Sequence, residues 1–207
     1  MSSELSEKKS IIDFVKSYSR ILSILVIALI VAASIFFWLD YSNKNKKTKI
    51  SETFIQAKIL LANNKNSEAN NLFRDIINKR DNVYSPLSLF LIIDKNLEED
   101  KETVINYFDI VLSTGGIEKE DSNLLKLKKA IYISEIGQEQ EILSLLNPII
   151  NSKSVWKLQS TKFLGDYYFS LRQFKKAKEY YLILLDENSQ SYDINEIKRK
   201  IDLIENE

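Results

Sequence analysis

The chain has 207 residues, with 29 Lys plus Arg against 29 Asp plus Glu, and 44% of its side chains are hydrophobic. No basic surplus is available to neutralise a nucleic-acid backbone, so nucleic acid is excluded as a partner. The absence of Cys and His removes disulfides, thiolate nucleophiles, imidazole bases and most zinc or iron sites, and four Gly and two Pro disfavour turn-rich β architectures and phosphate-cradling loops. The class expected is all-α.

Residues 1–20 form a polar tail in which Ile11, Val15 and Tyr18 fall at i, i+4 and i+7 beside Lys8, Lys9, Lys16 and Arg20. That pattern fits a turn lying on an anionic leaflet as well as a plain solvated tail. Residues 21–39 then run 19 positions without a charge. At about 1.5 Å per residue a helix here spans about 28 Å, close to the thickness of a bilayer core. Thirteen of its residues are Leu, Ile, Val or Phe, which favours insertion by about 4–8 kcal/mol. Trp38 and Tyr41 at the far end suit the headgroup level. A core helix of this length would carry charge on one face. A signal peptide cut after Ala32, Ala33 and Ser34 would leave an apolar mature start. An uncleaved transmembrane helix is therefore expected.

Residues 40–50 form a neck carrying Lys44, Lys46, Lys47 and Lys49, matched by Lys8, Lys9, Lys16 and Arg20 on the other side. Four against four leaves the direction of the helix open.

Residues 51–207 show helical apolar periodicity throughout, with short polar breaks near residues 63–66, 79–82, 96–100, 114–116, 137–139 and 151–154. At a period near 35, Leu164, Gly165, Tyr168, Ala177 and Tyr181 stand where the tetratricopeptide (TPR) consensus places its small and aromatic positions. Ala130, Ile133, Ile142 and Leu146 repeat the pattern, as do Ala57, Leu60, Ala69 and Phe73, with a looser copy at Val104 and Phe108. Small residues let antiparallel helices approach, and a single hairpin cannot bury its own apolar face. A TPR-like α-solenoid of about four hairpins is expected, closed by a capping helix with Asp193 at its start and Ile194, Ile197, Ile201 and Ile204 as its stripe. Ser85 is expected to cap a helix with Pro86 in its first turn, and Pro148 to kink or end its helix. Gly115 and Gly116 read as turn residues.

Ser154-Val155-Trp156-Lys157 is an S-x-x-K match without its S-D-N or K-T-G partners, and Trp156 is expected to pack on the next hairpin. The acidic runs at Glu98, Glu99 and Asp100 and at Glu118, Glu120 and Asp121 lack the Gly turn of a metal loop. No enzyme activity, cofactor or small-molecule substrate is expected. The first helix of each TPR pair lines a concave surface. That places Phe54, Lys58 and Leu61, then Leu127, Ile131 and Ser134, then Lys162, Asp166 and Phe169 on a candidate protein-binding face suited to an extended or partly unfolded polypeptide.

The order of parts resembles a known family. IIDFVKSYSR, one anchor helix, ISETFIQAKILLANNKNSEANNLF and LLNPIINSKSVWKLQSTKFLGDYYFSLRQFKKAKEYYLILL together are similar to the YfgM-like ancillary subunits of the SecYEG translocon in Gram-negative bacteria. The late segment is the most specific part, with L-x-P, a Trp eight residues after the Pro, then the Leu-Gly helix and the Ala-containing helix. The resemblance implies an inner-membrane protein with a cytoplasmic N-terminus and a periplasmic repeat domain. It further implies contact with membrane lipid, translocon subunits, periplasmic chaperones or unfolded polypeptides, in the handling of newly translocated proteins. A scaffold for division or wall-synthesis machinery is the other reading. The copy around Val104 is weak, and Asn, Lys and Ile replace many of the family's Ala residues.

Overall fold

A computed structural model describes residues 19–136, 139–186 and 193–206. The expected tail stripe of Ile11, Val15 and Tyr18 and the break at Gly137 lie outside the described residues. Every regular element among the described residues is helical: α1 (Ser19–Ala62), α2 (Asn66–Asn78), α3 (Tyr84–Asp94), α4 (Lys101–Leu112), α5 (Lys119–Ile133), a 3₁₀ turn (Ser134–Ile136), α6 (Glu139–Ile150), α7 (Lys157–Ser170), α8 (Phe174–Asp186) and α9 (Ile194–Glu205). The chain divides into two compact units, Met1–Glu52 and Thr53–Glu207.

In the first unit, α1 is long and apolar enough to cross a membrane, and none of its apolar stretch is buried by protein. Ser34 satisfies its hydroxyl on the Ile30 carbonyl at 2.8 Å, so its polarity is absorbed by the helix itself.

In the second unit the helices pack in chain order and are grouped as pairs, the end of α1 with α2 through Phe54 and Phe73, α3 with α4, α5 with α6 and α7 with α8, with α2 also packed closely on α3. All but one of the positions that carry the repeat pattern lie in its core: Ala57, Ala69, Phe73, Phe108, Ala130, Ile133, Ile142, Leu146, Leu164, Ala177 and Tyr181 are fully buried, whereas Leu60 is only partly so. The tightest approach is α7 on α8, where Gly165 lets the Tyr181 ring lie against the backbone; a Cβ at Gly165 would stand 2.5 Å from Tyr181 Cε1 and 2.7 Å from Cδ1.

Polar ties between consecutive units recur at the repeat period. Arg80 to Ser113, Asn82 to the Gly116 carbonyl, Lys101 to Glu135, Ser154 to Glu120, Lys176 to Glu139 and Lys200 to Asp166 all link residues 33–37 apart. Three first helices also end alike. Asn64, Asn96 and Arg172 take φ of 60°, 48° and 56°, and the following N–H reaches back five residues, from Lys65 to Leu60, Leu97 to Ile92 and Gln173 to Tyr168, each at 2.9 Å. This is the Schellman turn with Asn or Arg in the place usually held by Gly.

The closing helix α9 has Asp193 accepting from the backbone N–H groups of Asn195 and Glu196, and it buries Ile197 and Ile201. One local expectation is corrected. The start of α3 is capped by Asp81, whose Oδ1 accepts from the Val83 and Tyr84 N–H groups at 2.9 and 2.8 Å. Ser85 sits inside the first turn, where its buried hydroxyl donates to the Ile76 carbonyl. Its burial makes that inter-helix bond the better use of the hydroxyl. Pro148 lies inside α6, which continues two residues past it to Ile150.

Candidate protein-binding groove

Helix α3, Tyr84-Ser-Pro-Leu-Ser-Leu-Phe-Leu-Ile-Ile-Asp94, is apolar on nearly every side. Ser85, Pro86, Ser88, Leu89 and Ile92 are buried against its neighbours, which leaves Leu87, Phe90 and Ile93 facing outward. The next first helix, α5, turns Leu124, Lys128 and Ile131 toward the same space. Between them lies a cavity of about 210 Å³ walled by Phe90, Ile93, Phe108, Ile131 and Tyr132, with Asp94 and Lys128 at its polar edge. Lys128 Nζ stands 5.0 Å from the Phe90 ring centroid, a cation–π geometry that leaves its charge solvated. A second cavity, of about 170 Å³, adjoins it through Phe90 and is lined by Val83, Pro86, Leu87, Leu124 and Leu125. A third, of about 470 Å³, lies between the end of α1 and α3, where Lys58, Leu61 and Ala62 face Leu91 and Lys95. Val83, Leu87 and Ile131 are 52%, 42% and 47% exposed. The groove is a shallow apolar track with lysines along its border.

The nine residues read from the sequence fare unequally. Lys58, Leu61 and Ile131 line these cavities. Phe54 is half-buried, its ring 5.8 Å from Phe73 and 5.3 Å from Tyr84. Leu127 is corrected: it is only 4% exposed and belongs to the core. One residue step rotates about 100° on a helix, so Lys128 and Leu124 face the groove in its place. Ser134 sits in the 3₁₀ turn and donates to the Ile131 carbonyl at 2.6 Å. Phe169 packs beside Phe174 and Tyr181, with centroids at 5.7 and 6.4 Å.

Lys162 and Asp166 are covered by α9. Asp166 accepts from Lys162 and Lys200, each at 2.7 Å, and from the Tyr181 hydroxyl at 2.8 Å. Glu196 completes the cluster, 2.8 Å from Lys200 and 3.6 Å from Lys162. Burial alone would raise the Asp166 carboxyl, but the hydrogen bonds from Lys162, Lys200 and Tyr181 outweigh it and hold it below its ordinary value. The Tyr181 hydroxyl is pushed far above the usual tyrosine range by burial and by its bond to that carboxylate. These groups fasten the last pair to its cap, while the cavities described above lie along the end of α1, α3 and α5.

Elsewhere the charged clusters also serve packing. Lys129, almost fully buried on α5, reaches Asp109 of α4 at 2.8 Å and Glu141 of α6 at 2.6 Å. Burial would lower it, yet the two carboxylates raise it above its ordinary value. Ser154 of the S-x-x-K match donates to Glu120 at 2.6 Å and accepts from Asn123 and from the Trp156 N–H. The Trp156 indole N–H donates to the Glu120 carbonyl at 2.9 Å. Ser154 therefore pins the turn before α7 onto α5. Asp100 caps α4 through the Thr103 N–H. No group of three His, Cys, Asp or Glu side chains converges among the described residues.

No family model matches the chain, and no curated protein does. Among solved structures, the chain is similar to the kinesin light chain nearly identical TPR-like repeats of Podosopora anserina, with a TM-score of 0.53 and 13% identity over 75% of this chain and 85% of that one. A single-substitution variant of the same repeats gives the same score and identity, covering 84% of its chain. At that identity the likeness is one of fold: the chain is an all-α protein with a TPR-like repeat architecture.

Proposed function

We propose that this chain is a non-enzymatic, membrane-tethered protein-binding module. In this reading residues 21–39 span the bilayer and residues 51–207 present the groove. The observation that carries it is the pair of adjoining cavities around Phe90, where Leu87 and Ile131 stay exposed on the first helices of a TPR-like array. An extended chain laid along that track would bury alternate apolar side chains against Leu87, Phe90 and Ile131. The apolar contact asks for little sequence specificity, which suits newly made or partly unfolded polypeptides. The finer assignment, to the inner membrane with a periplasmic repeat domain beside the translocon and its chaperones, is supported by the YfgM-like order of parts.

A photo-crosslinking residue at Leu87 or Ile131 of the full chain in cells, followed by mild-detergent purification and mass spectrometry, tests both levels. Translocon subunits, chaperones or nascent envelope proteins are the expected adducts. Adducts restricted to division or wall-synthesis proteins would replace the translocon assignment with the scaffold reading. Equal adducts from Lys153, in the turn before α7 and away from these cavities, would remove the groove itself.

A further inference from the structure

Just beyond the apolar run, α1 has two unlike faces. At about 100° per residue, Trp38, Tyr41, Ser42, Asn45, Lys46 and Lys49 fall on one side and enclose a shallow concavity of about 330 Å³. Asp40, Lys44 and Lys47 fall on the opposite side, where Asp40 holds Lys44 at 2.8 Å. The aromatic face thus carries two lysines and no acid from Trp38 to Lys49; its first carboxylate is Glu52, about one turn further on. Trp38 and Tyr41 are 68% and 66% exposed, and Phe37 is 70% exposed.

The spacing along the axis matters as much as the face. Lys46 lies seven residues past Leu39, about 10 Å along the helix, and Lys49 about 15 Å. The polar layer of a bilayer leaflet is about 5–8 Å deep. A lysine stem can lie back along the aromatic surface while its ammonium meets the headgroups. Both charges also act within a Debye length of about 8–10 Å.

We infer that this face is a binding site for the headgroup of an anionic phospholipid, with Trp38 and Tyr41 at headgroup level and Lys46 and Lys49 on its negative charge. The inference rests on residues 21–39 spanning the membrane. Charge complementarity selects the occupant: a zwitterionic headgroup brings its own cation to the lysines, and free phosphate lacks the acyl chains that would meet Trp38.

The test is native mass spectrometry of the full chain in mild detergent, with phosphatidylglycerol, phosphatidylcholine of the same acyl chains, or inorganic phosphate added. Phosphatidylglycerol is expected to be retained at least about tenfold more strongly than phosphatidylcholine, and not to be displaced by phosphate. One surface lysine contributes about fivefold, so K46Q/K49Q should weaken retention about 25-fold. K44Q/K47Q, which removes the same formal charge from the face where Asp40 already pairs Lys44, should weaken it about fivefold or less. Equal losses in the two pairs, no loss in K46Q/K49Q, equal retention of phosphatidylcholine, or displacement by phosphate each overturns the inference. Alkaline extraction of cell membranes separates the two levels. A chain that stays in the membrane without the lipid preference loses only the headgroup site, whereas a chain that is extracted loses the span as well.

Discussion

Gly165→Ala is the sharpest test of how the last hairpin is built. In an exposed helix the change would stabilise, since Ala exceeds Gly by about 1 kcal/mol in helix propensity. Here the new Cβ meets Tyr181 Cε1 at 2.5 Å and Cδ1 at 2.7 Å, well inside ordinary contact. Tyr181 has no easy retreat. It is fully buried, its hydroxyl is bonded to Asp166 at 2.8 Å, and Phe169 lies beside its ring. Overpacking of this kind costs about 1–3 kcal/mol, and pulling the hydroxyl off a carboxylate adds about 1.5–3 kcal/mol if the ring swings away. A contact of 2.5 Å obliges the ring to move, so after the propensity gain a net loss of about 1.5–5 kcal/mol is expected. For a domain of this size that lowers the melting temperature by about 2–4 °C per kcal/mol. Circular dichroism at 222 nm on the full chain in detergent reads it directly. Adding Tyr181→Leu to Gly165→Ala makes room, so the double variant should lose less than the two single changes summed. A melting temperature unchanged or raised in Gly165→Ala, or strict additivity in the pair, would refute the close-approach account.

Three further outcomes are expected. Lys129→Ala leaves Asp109 and Glu141 facing each other across α5; because Asp109 is more than half exposed, the loss should be about 1–2 kcal/mol, below the roughly 3–5 kcal/mol of a fully buried pair, by urea denaturation. Asp166 has a folded-state value below its ordinary 3.8. Its contribution is therefore fully present above its ordinary value and lost as pH falls through the depressed one, so the gap in melting temperature between the native chain and Asp166→Asn should hold at neutral and mildly acid pH and narrow only as pH falls below 3.8. Ser154→Ala strands its three polar partners and should cost about 1–2 kcal/mol by thermal melting, while crosslinked partners at Leu87 are recovered unchanged; loss of partners without loss of stability would give Ser154 a functional role instead.

How much of this is legible in the sequence follows from the physics of each position. Gly165, Ala177 and Tyr181 are readable because a close helix approach admits few residue types, and their spacing repeats. The first helix of the second pair is missing from the expected binding face for the opposite reason. Helix α3 is apolar all round, so periodicity marks no side as outward, and Leu87 and Phe90 carry no signal of their own beyond that surplus of apolar surface. The Leu127 placement fails by one residue, a 100° error that repeat matching near residue 130 does not detect, since both Leu127 and Lys128 fit a helix that touches neighbours on several sides. Ser85 is a residue type that suits a cap, but burial against Ile76 gives its hydroxyl another acceptor and leaves the capping to Asp81. The covering of Lys162 and Asp166 depends on Lys200, 34 residues away from Asp166, a pairing that no local pattern announces.

The recurring Schellman turns at Asn64, Asn96 and Arg172, together with ties that reach only one period along the chain, make the hairpin a unit of inheritance as well as of structure. A duplication or excision cut at equivalent turns keeps the turn geometry, while each junction has its own polar pairs to match. Gain or loss of a hairpin lengthens or shortens the groove while the apolar helix and the cap keep their own sequences. The reach of such a protein is thus free to drift by whole repeats, whereas an insertion of a few residues inside a hairpin would break both the turn and the next inter-unit bond.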